Sequence, residues 1–235
     1  MSKSVKTQYL NGVKSAVPVI LGFVPTGIAY GIMARHAGLT ILQTCGMSLT
    51  VFAGASQMMA VGMVEQGATL LAIILATFIL NLRHFIMSTC VMNRMGKSST
   101  KIKLLAAFGV TDESFALFTS EDEKNCSAPF FLGLITVTYL SWNVGTLIGA
   151  VASNFLPVIL TASLGIALYA MFISILVPGL DGNWKLCALV IFTAVCNSLL
   201  SQIIASSWSL IISTLVCAFI GTFCVELEET EDTKS

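Results

Sequence analysis

The chain has 235 residues, 56% of them hydrophobic and 10% charged, with a mean hydropathy of +0.89. Soluble domains carry about 25% charged residues, so a water-soluble fold of this length is excluded. Twelve basic and twelve acidic residues cancel, and the charge gives no reason to expect a nucleic-acid partner.

The charges fall in blocks. Lys3 to Lys14, Arg94 to Lys103, Glu121 to Lys124 and Glu226 to Lys234 hold most of them, with long apolar runs between. This layout predicts an all-α, polytopic transmembrane bundle of about seven or eight hydrophobic segments. Residues 1–225 read as a single multi-pass membrane domain, and 226–235 as an acidic, disordered tail. Six of the seven cysteines lie in or at the ends of apolar runs and none has CxxC spacing. They read as small hydrophobes, not as metal ligands or disulfides. No metal or other cofactor is expected.

Lys3, Lys6 and Lys14 precede the first apolar segment, Ala16 to Ala34, which reads as an uncleaved membrane segment. Pro25 predicts a kink or break near Gly22 to Pro25. Gly27 and Gly31 form a GxxxG pair that permits close helix approach. Packing alone and a broken helix beside a substrate are both open here.

The second segment, Leu39 to Val64, is centred on VFAGASQMM. Its small residues admit another backbone, and the Gln57 amide can donate and accept. Gln57 reads either as interhelical glue or as a site residue, and a break at Gly54 fits the length.

The third segment, Ala68 to Met92, carries Thr77, Asn81, His84 and Ser88 on one helical face, at spacings of four, three and four. Arg83 lies about 100° round from His84, so it could point to a neighbouring helix or down the same cavity. Holding an arginine in such a segment costs on the order of 3 kcal/mol, which favours a polar path over a simple helix contact.

The basic block Arg94 to Lys103 belongs on the cytoplasmic side with the N-terminal lysines. Three straight crossings would put the two on opposite sides. Either one of the first three segments is broken or re-entrant, with VFAGASQ the candidate, or the charge rule fails here.

The fourth segment, Leu104 to Phe118, holds Asp112 and Glu113. Adjacent acids face different ways on a helix, so at most one is expected in any cavity. One could neutralise Arg83 or carry protons; a surface helix with solvated acids fits equally well. The fifth segment, Pro129 to Ala152, contains Ser141, Trp142 and Asn143, a cluster that could face the cavity or serve packing alone, then a second GxxxG at Gly145 and Gly149. The sixth begins at Pro157 with a run that echoes the one from Pro18, as internal repeats of transporters do. Two further segments, Leu186 to Ser201 and Ser207 to Val225, precede the tail.

The succession GFVPTGIAYGIMARHAGL, VFAGASQMM, ILNLRHFIMS and TDESFAL resembles the AzlC-type branched-chain amino acid permeases across the N-terminal half. The resemblance implies a bacterial inner-membrane protein that moves branched-chain amino acids, often outward, with a small membrane subunit of AzlD type. It places Pro25, Gly27, Gly54, Ser56, Gln57, Asn81, Arg83 and His84 on the substrate path.

The chemistry is compatible. Arg83 or a half-helix N-terminus suits a carboxylate. Gln57 and Asn81 offer acceptors for an ammonium, and Met58, Met59, Phe78 and Met87 offer adaptable apolar surface. His84, Asp112 and Glu113 are the candidate proton carriers. No GxxxxGK[ST] supports ATP hydrolysis, and no HExxH, GxSxG or intramembrane aspartate pair supports an enzyme. The alternative role is a structural or assembly subunit of a transport complex.

Overall fold

The computed structural model describes residues 4–122, 124–153, 155, 173, 177, 180, 182–204 and 206–224. These residues are helical, without strands among them, and fall into two compact units, Met1–Ile173 and Ser174–Ser235. The acidic tail and the Pro157 echo lie outside the described residues.

In the first unit, α1 (Val5–Ser15) and α2 (Val17–His36) follow one another with an irregularity at Ala16. α2 is unbroken through Pro25, so of the kink or break expected there the break does not form. Thr26 adds a bond from its hydroxyl to the Gly22 carbonyl, 2.7 Å, in the turn that proline loosens. The other long helix, α9 (Ala128–Ala152), runs parallel to this pair. Ser127 at its start donates to Gln8 Oε1 at 3.1 Å. Further along, the two GxxxG pairs face each other. A Cβ on Gly27 would lie 2.8 Å from the Trp142 carbonyl oxygen, and one on Gly145 would lie 2.6 Å from that of Val24. Glycine is what lets these backbones touch.

Three further apolar stretches are interrupted near their middles. The first is α3 (Ile41–Val51) followed by α4 (Gly54–Glu65). At about 1.5 Å per residue neither reaches much beyond half of a ~30 Å hydrocarbon core. Ser48 and Gln57, placed evenly about the break, are hydrogen-bonded at 3.2 Å, so the chain folds back. This is the re-entrant segment expected at VFAGASQ. Phe52 makes the turn with φ of 44°, a left-handed conformation costing roughly 1–2 kcal/mol. Its ring is held against Tyr139 (4.9 Å), Phe108 (6.4 Å) and Phe23 (6.5 Å).

The second interrupted stretch, α5 (Leu70–Asn81) and α6 (Arg83–Arg94), crosses with a discontinuity at Leu82. The third is α7 (Thr100–Gly109) and α8 (Asp112–Thr119). The sequence reads as a single segment here; the structure has a second re-entrant hairpin. Phe108 near its tip lies 5.9 Å from Tyr139 in the middle of α9, whereas Phe118 lies 4.9 Å from Phe131 near the start of α9. Extended backbone at Val110 and Thr111 makes the turn, and Thr111 and Ser114 form a capping box that starts α8.

The two hairpins enter from opposite faces. The α3–α4 ends lie on the side of the α2 and α9 C-termini, and the α7–α8 ends on the side of their N-termini. Arg94, at the end of α6, donates to the Glu121 carbonyl at 2.6 Å on that second side. Lys6 and Lys14 in α1 and the Arg94–Lys103 block therefore share a side, and the topological conflict disappears: α2 and α5–α6 are two crossings, with α3–α4 turning back between them.

The second unit contains α10 (Trp184–Leu200) and α11 (Ser206–Cys224). Asn197 Oδ1 joins them, accepting from Ser209 Oγ at 2.9 Å and Ser213 Oγ at 3.3 Å.

Candidate functional site

The second halves of all three interrupted stretches begin at one pocket. It is lined by Ala53, Gly54 and Ala55 at the start of α4, Arg83 and His84 at the start of α6, and Thr111, Asp112 and Glu113 at the start of α8. Phe23, Phe52 and Trp142 complete the walls. α4 and α6 have no side-chain cap on their first amides, although Thr or Ser caps α3, α5, α7, α8 and α9. Uncapped first-turn amides carry partial positive charge. The pocket is narrow in this conformation, with room for water and not for an amino acid.

Arg83 Nη1 pairs with Asp112 Oδ2 at 2.9 Å, joining the crossing helix α6 to the tip of the second hairpin. The acid partner expected from Asp112 or Glu113 is thus Asp112. Both adjacent pairs point inward: Arg83 with His84, and Asp112 with Glu113. Of the two directions open to Arg83 in the sequence, it takes the one shared with His84; the presence of both acids corrects the sequence reading, which allowed one at most into a cavity. A helical wheel assumes an unbroken helix; at the first turn after a break, consecutive side chains fan around the helix end.

His84 Nδ1 lies 3.3 Å from the Asn81 carbonyl. A carbonyl only accepts, so this contact places the proton on Nδ1 and leaves Nε2 as the exchangeable nitrogen. Asn81 Nδ2 donates to Ser56 Oγ at 3.1 Å, tying the end of α5 to the start of α4. Asn81 Oδ1 and Arg83 Nε are buried without a partner among the described residues, an acceptor and a donor still to be satisfied.

Behind the pocket lies a buried polar network. Gln57 is fully buried; its Oε1 accepts from the Ala53 amide at 3.2 Å and its Nε2 donates to Ser48 Oγ. Trp142 Nε1 also donates to Ser48 Oγ, at 3.1 Å. With both acceptor sites taken, the Ser48 hydroxyl must donate to Thr146 Oγ1, 2.8 Å away. This chain of bonds holds the α3–α4 tip against α9.

Of the residues singled out in the sequence, Gly54, Arg83, His84, Asp112 and Glu113 line the pocket. Ser56, Gln57 and Asn81 brace its rim. Gly27 packs against α9, and half-buried Pro25 lies in α2, not among the lining residues. The apolar wall is aromatic: Met58 sits in the core cluster with Phe23, Tyr30 and Trp142, Met87 is in the other cluster, and Phe78 is exposed. Phe23, Phe52 and Thr111 were missed as lining residues, whereas Trp142 belongs to the Ser141–Asn143 cluster for which the sequence left a cavity-facing role open beside packing. Thr111 had a signal, since T-x-x-S after Gly109 marks a helix start.

The AzlC protein family matches residues 18–156, more than half of the chain and all of the pocket. The inner membrane protein YgaZ of Escherichia coli K12 is 30% identical over 190 residues, 76% of each chain. An uncharacterised membrane protein of Archaeoglobus fulgidus is 30% identical over 184 residues, 77% of this chain and 80% of its own. The branched-chain amino acid transport protein AzlC of Bacillus subtilis is 27% identical over 163 residues, 68% of this chain and 63% of its own. No solved structure matches. A helical membrane protein with a role in membrane transport, the chain belongs to the AzlC family.

Proposed function

We propose that the protein is the large subunit of a secondary transporter that exports branched-chain amino acids across a bacterial inner (plasma) membrane. A small membrane subunit of AzlD type works with it, as the family resemblance implies, and residues 1–225 act as one transport domain. The observation that carries this reading is the pocket at the meeting of the hairpins, whose walls gather the kinds of group a branched-chain zwitterion needs and which must widen to admit one. Arg83 and the α4 amides suit the carboxylate, Asp112 and Glu113 suit the ammonium, and Phe23, Phe52 and Trp142 suit an apolar side chain.

The opposed hairpins supply the alternation. Each closes the pocket from one side, so displacing one tip at a time exposes the site to one face at a time. His84, Asp112 and Glu113 share the pocket, so a proton crosses with, or against, the substrate through the same cavity.

The test is efflux of labelled leucine, isoleucine and valine from proteoliposomes, with and without the small subunit. Flux that responds to an imposed proton gradient is the expected result. No substrate-dependent flux under any imposed gradient would overturn the reading.

A further inference from the structure

Arg83 and Asp112 neutralise each other across the pocket, and both remain reachable from it: their side chains are 35% and 21% exposed. They belong to different elements, α6 and the tip of the α7–α8 hairpin. A ligand that brings only a carboxylate must take Arg83 from Asp112 and leave that acid unpaired in a membrane interior. One that brings only an ammonium strands Arg83 in the same way. Leaving a charge unpaired is the costly outcome. A zwitterion alone replaces both partners at once.

We infer that the Arg83–Asp112 bridge is the specificity device of the site: it admits small apolar zwitterions and rejects amines and acids bearing the same side chain. Arg83 receives the substrate carboxylate and Asp112 the substrate ammonium. This rests on the transport reading above and assigns its two charged contacts. His84 and Glu113 also face the pocket, but neither is joined to Arg83 by an ion pair among the described residues.

The experiment measures labelled leucine binding to the full chain, co-purified with any subunit it retains. The competitors are isopentylamine and 4-methylpentanoate, which keep the leucine tail and lack one charge each. In the unaltered protein neither competes. Arg83→Gln frees Asp112 and is expected to bind isopentylamine at least about tenfold better than the unaltered protein does. Asp112→Asn frees Arg83 and gains 4-methylpentanoate by a similar factor. Both gains are read by protection against thermal unfolding, which does not require that the variants still bind leucine.

Competition by either analogue in the unaltered protein would overturn the inference even if both variants fail to fold. So would folded variants that gain nothing, or an acid gain on Glu113→Gln in place of Asp112→Asn. Absence of leucine binding in the unaltered protein strikes the transport reading itself; leucine binding without the crossed gains strikes only the assignment of the bridge.

Discussion

Arg83→Ala is expected to lower leucine flux about a hundredfold while the protein still assembles. The side chain is the only cation joined to Asp112 among the described residues. Its loss removes the fork that suits a carboxylate and leaves Asp112 unpaired. Truncating one member of such a pair costs about 3 kcal/mol, equivalent to roughly two decades in affinity. Arg83→Lys keeps the charge and loses the fork, so a smaller deficit of roughly tenfold is expected. Initial flux per reconstituted complex, with unfolding temperature as the check on folding, decides the matter. An assembly subunit without a substrate site would show reduced complex yield and unaltered flux per complex.

Gly145→Leu is expected to be among the most damaging single changes to the fold. Even the first added carbon would lie 2.6 Å from the Val24 carbonyl oxygen and 3.2 Å from Gly27 Cα. These are backbone atoms, so the whole of α2 must move away from α9. Overpacking with some give costs about 1–3 kcal/mol, and a backbone clash exceeds that range. The expected readout is loss of monodisperse protein in detergent, or a drop in unfolding temperature of several degrees or more. Gly62→Ala is the comparison, because a Cβ there meets nothing within 4 Å. It is expected to leave the unfolding temperature within a degree or so.

The parts of the fold legible in the sequence were those that a membrane makes expensive. Blocks of charge separated the apolar runs. The lysines on either side of three segments demanded an even number of crossings, and the small residues of VFAGASQ identified the segment that turns back. Asp112 was traceable as the Arg83 partner because a buried cation needs an acid and few acids lie inside apolar runs. Pro25 suggested a break that does not form, because a proline inside a membrane helix removes one donor and the surrounding turn can absorb the loss. The α7–α8 turn was overlooked, because only Val110 and Thr111 interrupt the apolar run, and Gly109 with the T-x-x-S that follows was its one local signal. The aromatic walls, apart from Trp142 in the Ser141–Asn143 cluster, were illegible for a different reason. Phe23, Phe52 and Trp142 come from three elements, and only the parallel packing of α2 on α9 and the left-handed turn at Phe52 bring their rings together.

The claim that the substrate occupies the meeting point of the two hairpins is tested most directly by site protection. The seven native cysteines are replaced, and a single cysteine is placed at Ala55 on the pocket wall. Its alkylation rate is then followed as leucine is added. Protection that rises with leucine concentration, and disappears when Arg83→Ala is combined with it, is the predicted result. An unchanged alkylation rate at leucine concentrations that saturate flux would contradict the account, because transport would then proceed without the substrate entering this pocket.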